Sequence, residues 1–134
     1  MAFCWRHNLF YATKIYANDE KAKKILSALR GGKLTQSQQS LIDLLDKDGF
    51  DVNISTGNKK VGQIATTSKC ENGANVGFQH TSENDLFNAG VLLHELVHAR
   101  QIKQGILPGL PTSEAEGYKY FDDFIDQNGL GIKK

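Results

Sequence analysis

Hydrophobic residues recur every three or four positions in two segments near the start of the chain, which predicts two amphipathic helices. In the first segment, Asn18 is a candidate N-cap, and two glycines, Gly31 and Gly32, end the pattern. The apolar positions of this segment are Ala22, Ile25, Leu26 and Leu29. In the second segment, Thr35 and Gln38 have the spacing of a capping box. Its apolar positions are Leu41, Ile42, Leu44 and Leu45, and Gly49 ends it.

The period changes to two in the middle of the chain, where Phe50, Val52 and Ile54 alternate with polar residues. This alternation predicts a half-buried strand. Residues 61–67 and 74–80 are read as two further strands joined by a polar loop, residues 68–73, and an earlier strand is predicted over residues 8–16. Three short strands in succession favour an antiparallel meander.

A helical period returns after Ser82, which is a candidate N-cap. We predict a helix over residues 85–104 with Gly105 as its C-cap, a loop over residues 105–111, and a last helix over residues 113–127. The predicted fold class is therefore α+β within a single domain, residues 1–134. Two N-terminal helices precede a small, mainly antiparallel sheet, and two further helices follow it.

Composition narrows the possible partners. The 16 basic and 15 acidic residues give a net charge of +1, which provides no electrostatic reason to expect nucleic acid or a membrane surface. No apolar run approaches the ~20 residues of a membrane span, and the first residues lack the features of a signal peptide. We therefore expect a cytoplasmic protein, or one delivered by a secretion system that needs no signal peptide.

The chain has two cysteines, Cys4 and Cys70. They are too few and too far apart in the sequence for a zinc knuckle. Either a disulfide or a reduced buried pair is compatible with the sequence, and neither cysteine lies in the context of a catalytic nucleophile.

The predicted helix 85–104 contains His94, Glu95 and His98 within a strongly apolar stretch. A spacing of four places the two histidines on one face of the helix, where their imidazoles can bind one metal ion. Glu95 projects beside the metal, where a carboxylate can accept a proton from water. The alternative is a pair of hydrogen-bonded core histidines with Glu95 in an ion pair. Metal binding is favoured because burying all three groups without a ligand is costly.

A catalytic zinc usually has three protein ligands and one open position. Glu114 is the preferred third ligand because the apolar residues of the last helix lie on its side. Glu116 is the alternative, but it lies nearly opposite and is read as the partner of Ser113 in a capping box. Gly117, one turn after Glu114, would let the two helices approach closely. His80 is a further candidate, at the end of a predicted strand, and His7 is considered incidental.

The segment HELVHA, residues 94–99, resembles the HExxH zincin metallopeptidases. The Glu-x-Glu-x-Tyr segment that begins at Glu114 resembles their glutamate-ligand branch, the gluzincins. Within that branch, the layout of residues 74–124 is most similar to short metallopeptidase domains of bacterial secreted effectors and polymorphic toxins. The sequence departs from the thermolysin-type pattern at Tyr118, where that pattern has an acidic residue that supports a zinc-bound histidine.

The resemblance implies Zn²⁺, hydrolysis of peptide bonds with Glu95 as general base, and an edge strand that aligns the substrate, here residues 75–80. Tyr118, Tyr120 or His80 could stabilise the oxyanion, and Tyr118 ranks first. The expected partners are a protein or peptide substrate and an inhibitor or immunity protein. Two alternatives stay open: a non-catalytic binding domain stapled by a metal, and a regulatory peptidase that cleaves a repressor.

Overall fold

The computed structural model describes residue 4 and residues 15–47, 50–57, 64–106 and 110–131. The elements, in chain order, are β1 (Ile15–Ala17), α1 (Glu20–Gly31), α2 (Gln36–Leu45), β2 (Asp51–Thr56), β3 (Ala65–Cys70), β4 (Gly73–Phe78), α3 (Asp85–Lys103) and α4 (Pro111–Gln127). The predicted α+β class and the order of the main elements are confirmed. Most of the predicted strand 8–16, together with Gly49 and His7, lies outside the described residues.

Among the described residues, the sheet has four strands in the order β1-β2-β4-β3. β1 pairs with β2 in parallel, β2 pairs with β4 in parallel, and β3 pairs with β4 in the antiparallel direction. The predicted antiparallel meander is therefore wrong for β2. β3 follows β2 in the sequence but lies at the edge of the described sheet. After a turn at Glu71 and Asn72 the chain forms β4, which lies between β2 and β3. Alternation along a strand looks the same for both pairing directions, so it could not reveal this arrangement.

One face of the sheet packs against α3. Ile54, Val76 and Thr67 lie side by side on neighbouring strands, and the hydroxyl of Thr67 donates to Glu95 of α3. Residues paired in this way share a face of the sheet. The core on this face includes apolar residues of the strands and of all four helices. Its fully buried large side chains include Ile25, Leu29, Leu41, Ile54, Phe78, Leu92, Leu93, Leu96 and Phe124.

The opposite face is also covered at β2, because Asn53 and its neighbour Asn75 are both buried. β2 is thus buried on both sides, whereas the alternation had predicted a half-buried strand. A disulfide joins Cys4 to Cys70 at the end of β3. It decides between the two states that the sequence left open for these cysteines.

The helix ends differ from the predictions by one or a few residues. Asp19, not Asn18, caps α1 by accepting from the backbone N–H of Ala22, and Asn84, not Ser82, caps α3. The capping box of Thr35 and Gln38 at α2 is confirmed. Across the described ranges, no helix has the length and apolar character required to cross a bilayer.

Candidate metal centre

The candidate site begins with α3, whose central residues are almost all buried between the sheet and the other helices. His94 and His98 lie one turn apart on this helix, with side chains that are nearly inaccessible to solvent. Their rings meet edge to face, with centroids 4.9 Å apart. The predicted placement of the two histidines on one face of a buried helix is therefore confirmed.

Three side chains converge at this point. The Nε2 atoms of His94 and His98 are 3.2 Å apart. The Glu114 carboxylate lies 3.4 Å from Nε2 of His94 and 3.0 Å from Nε2 of His98. Ligands bound at 2.0–2.1 Å in a tetrahedral arrangement would be separated by about 3.3 Å. The spacing of the three donors fits such an ion, so this cluster can hold a metal.

Close contact between α3 and α4 brings Glu114 to the histidines. A Cβ atom at Gly117 would lie 3.0 Å from both Cε1 and Nε2 of His94. A Cβ atom at Gly90 of α3 would lie 3.2 Å from the side chains of Phe121 and Ile125. A side chain at either glycine would push the helices apart. The close approach predicted for Gly117 is therefore confirmed.

Glu95 lies beside this cluster and is not part of it. Its Oε2 atom is 3.9 Å from Nε2 of His94, and its Oε1 atom accepts a hydrogen bond of 2.8 Å from the hydroxyl of Thr67. Burial raises the pKa of Glu95 to about 7, although the Thr67 hydrogen bond and the charge of His98 oppose the rise. Burial and, next, the charge of His98 lower the pKa of His94.

Glu116 does not join the cluster. Its carboxylate contacts the guanidinium of Arg100 and accepts a hydrogen bond of 3.1 Å from Nε2 of Gln101. Burial tends to raise the pKa of Glu116, but the hydrogen bonds from Arg100 and Gln101 outweigh it and lower the pKa. The capping box predicted for Ser113 and Glu116 is wrong, because α4 begins earlier, at Pro111, a residue favoured at the first helical position.

Sequence reasoning missed Gln101. Its side chain is 1% exposed, and its Oε1 atom lies 2.8 Å from Nδ1 of His98. The spacing could have revealed it, since a residue three positions after His98 lies on the same face of α3. A polar residue at that position can support a metal-binding histidine.

The candidates for oxyanion stabilisation lie in three different places. The Tyr118 ring meets the His94 ring edge to face at 4.7 Å, and the residue is 56% exposed. The Tyr120 hydroxyl accepts from Nη1 of Arg100 at 3.4 Å. His80 is exposed beyond the end of β4 and outside the cluster. Tyr118 is therefore the one of the three that borders a histidine of the cluster.

The predicted substrate-aligning strand, residues 75–80, does not lie at an edge. Most of it belongs to β4, which lies between β2 and β3, and the edge position next to α3 is occupied by β3. The predicted loop 68–73 is also wrong, since it consists of the end of β3, the turn at Glu71 and Asn72, and the first residue of β4.

Comparison with protein-family models, with curated proteins and with solved structures gave no match.

Proposed function

We propose that the protein is a zinc-dependent metallopeptidase. The observation that carries this proposal is the arrangement of His94, His98 and Glu114, whose donor atoms have the spacing expected for one tetrahedral ion. A fourth group, Glu95, lies next to them without joining them. Hydrolysis by a metal-activated water requires ligands that hold the metal and a nearby carboxylate that does not bind it and can accept a proton.

Two imidazoles and one carboxylate suit zinc, which accepts nitrogen and oxygen donors in tetrahedral sites. Zinc held by these residues lowers the pKa of a coordinated water to about 7 and polarises a carbonyl group. Glu114 is half-buried, with 37% of its side chain exposed, while both histidines are buried. The site therefore has one open side, and we assign the substrate to that side.

Glu95 is the proposed general base. The nearly complete burial of its carboxyl group gives it a pKa of about 7 in the metal-free protein, close to the pH at which a base must both accept and return a proton. Thr67 holds one carboxylate oxygen and leaves the other directed towards His94. As water attacks the scissile carbonyl carbon, Glu95 accepts its proton, and the proton then passes to the leaving amine as the C–N bond breaks.

The proposed substrate is an extended peptide. β3 lies at the edge of the described sheet. It contains Thr67, which donates a hydrogen bond to Glu95, so this edge strand lies close to the proposed base. An edge strand offers backbone N–H and C=O groups that a peptide can pair with. Tyr118 is the proposed donor to the oxyanion, because its exposed side chain borders His94.

The test is hydrolysis of a peptide library by the zinc-loaded wild type, with and without a chelator. Glu95→Gln should bind zinc as the wild type does and lose at least ~100-fold in kcat/KM, since a general base contributes 10²–10⁴-fold. The matched control is Glu20→Gln, which removes the same charge from an exposed position on α1 paired with Lys23. Its kcat/KM should equal that of the wild type.

Activity that survives the chelator, or a fully active Glu95→Gln variant, would contradict the proposal. Stoichiometric zinc binding with no turnover of any peptide would favour the metal-stapled binding domain instead. Measuring zinc content and turnover on the same samples separates these outcomes.

A further inference from the structure

We propose that Gln101 is a positioning residue that fixes the tautomer and ring orientation of His98, and that Glu116 and Arg100 anchor it. The inference concerns the same cluster and therefore rests on the proposed metal site. Gln101, Glu116 and Arg100 lie outside the group of three possible metal ligands. They form a chain of polar contacts from His98 on α3 to Glu116 on α4 and back to Arg100.

The orientation of the Gln101 amide follows from its neighbours. On one side lie two groups that can only accept hydrogen bonds, the backbone carbonyl of Ser113 and the carboxylate of Glu116, each 3.1 Å from Nε2. The NH₂ end must face them, because a flipped amide would put its oxygen against two other oxygens. The Gln101 oxygen therefore faces Nδ1 of His98, at 2.8 Å.

This orientation determines the tautomer of His98. A carbonyl oxygen can only accept, so Nδ1 of His98 must carry the proton that it receives. The neutral ring then has its lone pair on Nε2, the atom that lies 3.0 Å from Glu114. A ring nitrogen binds a metal through its lone pair, so a proton held on Nδ1 leaves Nε2 as the nitrogen that can bind an ion.

Glu116 is in turn held in place. Arg100 contacts its carboxylate, and the guanidinium of Arg100 lies 5.6 Å from the centre of the Tyr120 ring. Only 14% of the Arg100 side chain is exposed. Gln101 donates hydrogen bonds to the backbone carbonyl of Ser113 and to Glu116, so its amide cannot rotate without breaking both of them.

A purely structural role for Gln101 is the competing explanation, since its amide joins α3 to the backbone of α4. Gln38 provides a matched control. It is also 1% exposed, and its Nε2 donates to the backbone carbonyl of Tyr120 in α4 at 3.2 Å. Gln38 thus joins α2 to α4 as Gln101 joins α3 to α4, but it forms no hydrogen bond with a histidine of the described residues.

The first measurement is zinc affinity, obtained by competition with a chelating dye on the metal-free full chain. Gln101→Met keeps the approximate volume of the side chain and removes its hydrogen bonds. We expect its zinc dissociation constant to rise by about 10-fold to 100-fold, as for other residues that support a metal ligand. For Gln38→Met we expect a change of less than about twofold, although both variants lose thermal stability. Equal affinities for wild type and Gln101→Met would overturn the proposal.

The second measurement needs no stable variant. Two-bond ¹⁵N–¹H spectra of the metal-free wild type distinguish the tautomers of a neutral histidine, and the spectrum of His98→Asn identifies the His98 signals by their loss. We expect a proton on Nδ1, the nitrogen that faces the Gln101 oxygen. A ring without a proton on Nδ1 would overturn the inference whatever the zinc affinity. If the wild type shows the expected tautomer but cleaves no peptide, the proposed peptidase activity fails and the positioning role does not.

Discussion

His94 and His98 lie one turn apart on the same helix, yet the protein holds them by different means. Nδ1 of His98 is bound to Gln101, and a chain of polar side chains continues behind it. Among the described residues, no such hydrogen bond reaches Nδ1 of His94. Its ring instead packs closely against Gly117 and meets the ring of Tyr118 edge to face.

The two kinds of support constrain different properties of a ring. A hydrogen bond is directional, so it sets which nitrogen carries the proton as well as where the ring points. Packing sets where the ring lies but does not by itself determine which nitrogen carries the proton. His94 should therefore respond to changes of shape, and His98 to changes of hydrogen bonding.

The largest effect that separates the two should come from Gly117→Ala. The added methyl would lie 3.0 Å from Nε2 of His94, so the ring must move or α4 must withdraw. Overpacking of this kind costs about 1–3 kcal/mol. A cost of that size at the metal site corresponds to a loss of zinc affinity between about 5-fold and 150-fold. Zinc titration measures this loss, and the tautomer of His98 should stay unchanged.

Gly31→Ala is the matched control, because its added methyl would meet no atom within 4 Å at the end of α1. Its zinc affinity should equal that of the wild type. If Gly117→Ala also binds zinc normally and gains the ~0.5–1 kcal/mol that alanine usually provides inside a helix, His94 is not held by close packing.

The next effect concerns Glu95, whose carboxylate lies beside His94. Its pKa in the metal-free protein is about 7, above the ordinary 4.5. The folded state therefore binds more protons than the unfolded state between these two values, and stability falls as the pH rises through this window. At pH 8 metal-free Glu95→Gln should exceed the wild type in unfolding free energy by about 3 kcal/mol. Below pH 4.5 the difference should vanish.

Denaturant unfolding of both metal-free proteins at pH 4.5 and pH 8 measures this difference. The lowered pKa of His94 acts with the opposite sign, since it removes stability as the pH falls below 6.5. Both proteins retain His94, so its contribution cancels in the comparison. A constant difference between the two proteins across this pH range would contradict the burial of an ionisable Glu95.

The smallest effect should come from Tyr118, which supports His94 from its exposed side. Tyr118→Phe keeps the ring contact, so zinc affinity should not change, and Tyr118→Ala removes a contact of ~0.5–1.5 kcal/mol. The expected loss for Tyr118→Ala is about threefold to tenfold in zinc affinity. Tyr118→Phe should lower kcat alone if the hydroxyl stabilises the oxyanion. Unchanged kcat in that variant would remove Tyr118 from the proposed mechanism.

The same contrast explains what the sequence could reveal about the site. Helical spacing placed His94 and His98 on one face of α3 and placed Glu114, rather than Glu116, on the apolar side of the last helix, because a period of 3.6 residues fixes which side chains share a face. The support of His98 was missed because it combines Gln101 of α3 with Glu116 of α4. Such a contact depends on the distance and rotation between two helices, which neither segment encodes by itself.

The sheet shows a similar division. Local alternation located β2 and predicted inward-facing Val52 and Ile54, both of which are buried. The neighbours of β2 could not be predicted, since they depend on how the chain returns from β3. For that reason the sequence predicted the substrate strand at residues 75–80, one strand too far into the sheet.

The disulfide between Cys4 and Cys70 and the proposed metal ligands lie in different segments of the chain. The disulfide closes a loop that spans 66 positions and contains Thr67, whereas the three donor residues, Glu95 and Gln101 all follow Cys70. For a loop of this length, the chain-entropy model assigns the cross-link about 4 kcal/mol. A reductant would therefore lower the free energy of unfolding of the domain, while a chelator would remove the metal from the donor residues on α3 and α4. In a compartment that keeps thiols reduced, the protein would lose the contribution of this disulfide to its stability. The donor residues on α3 and α4 would still be present to bind a metal.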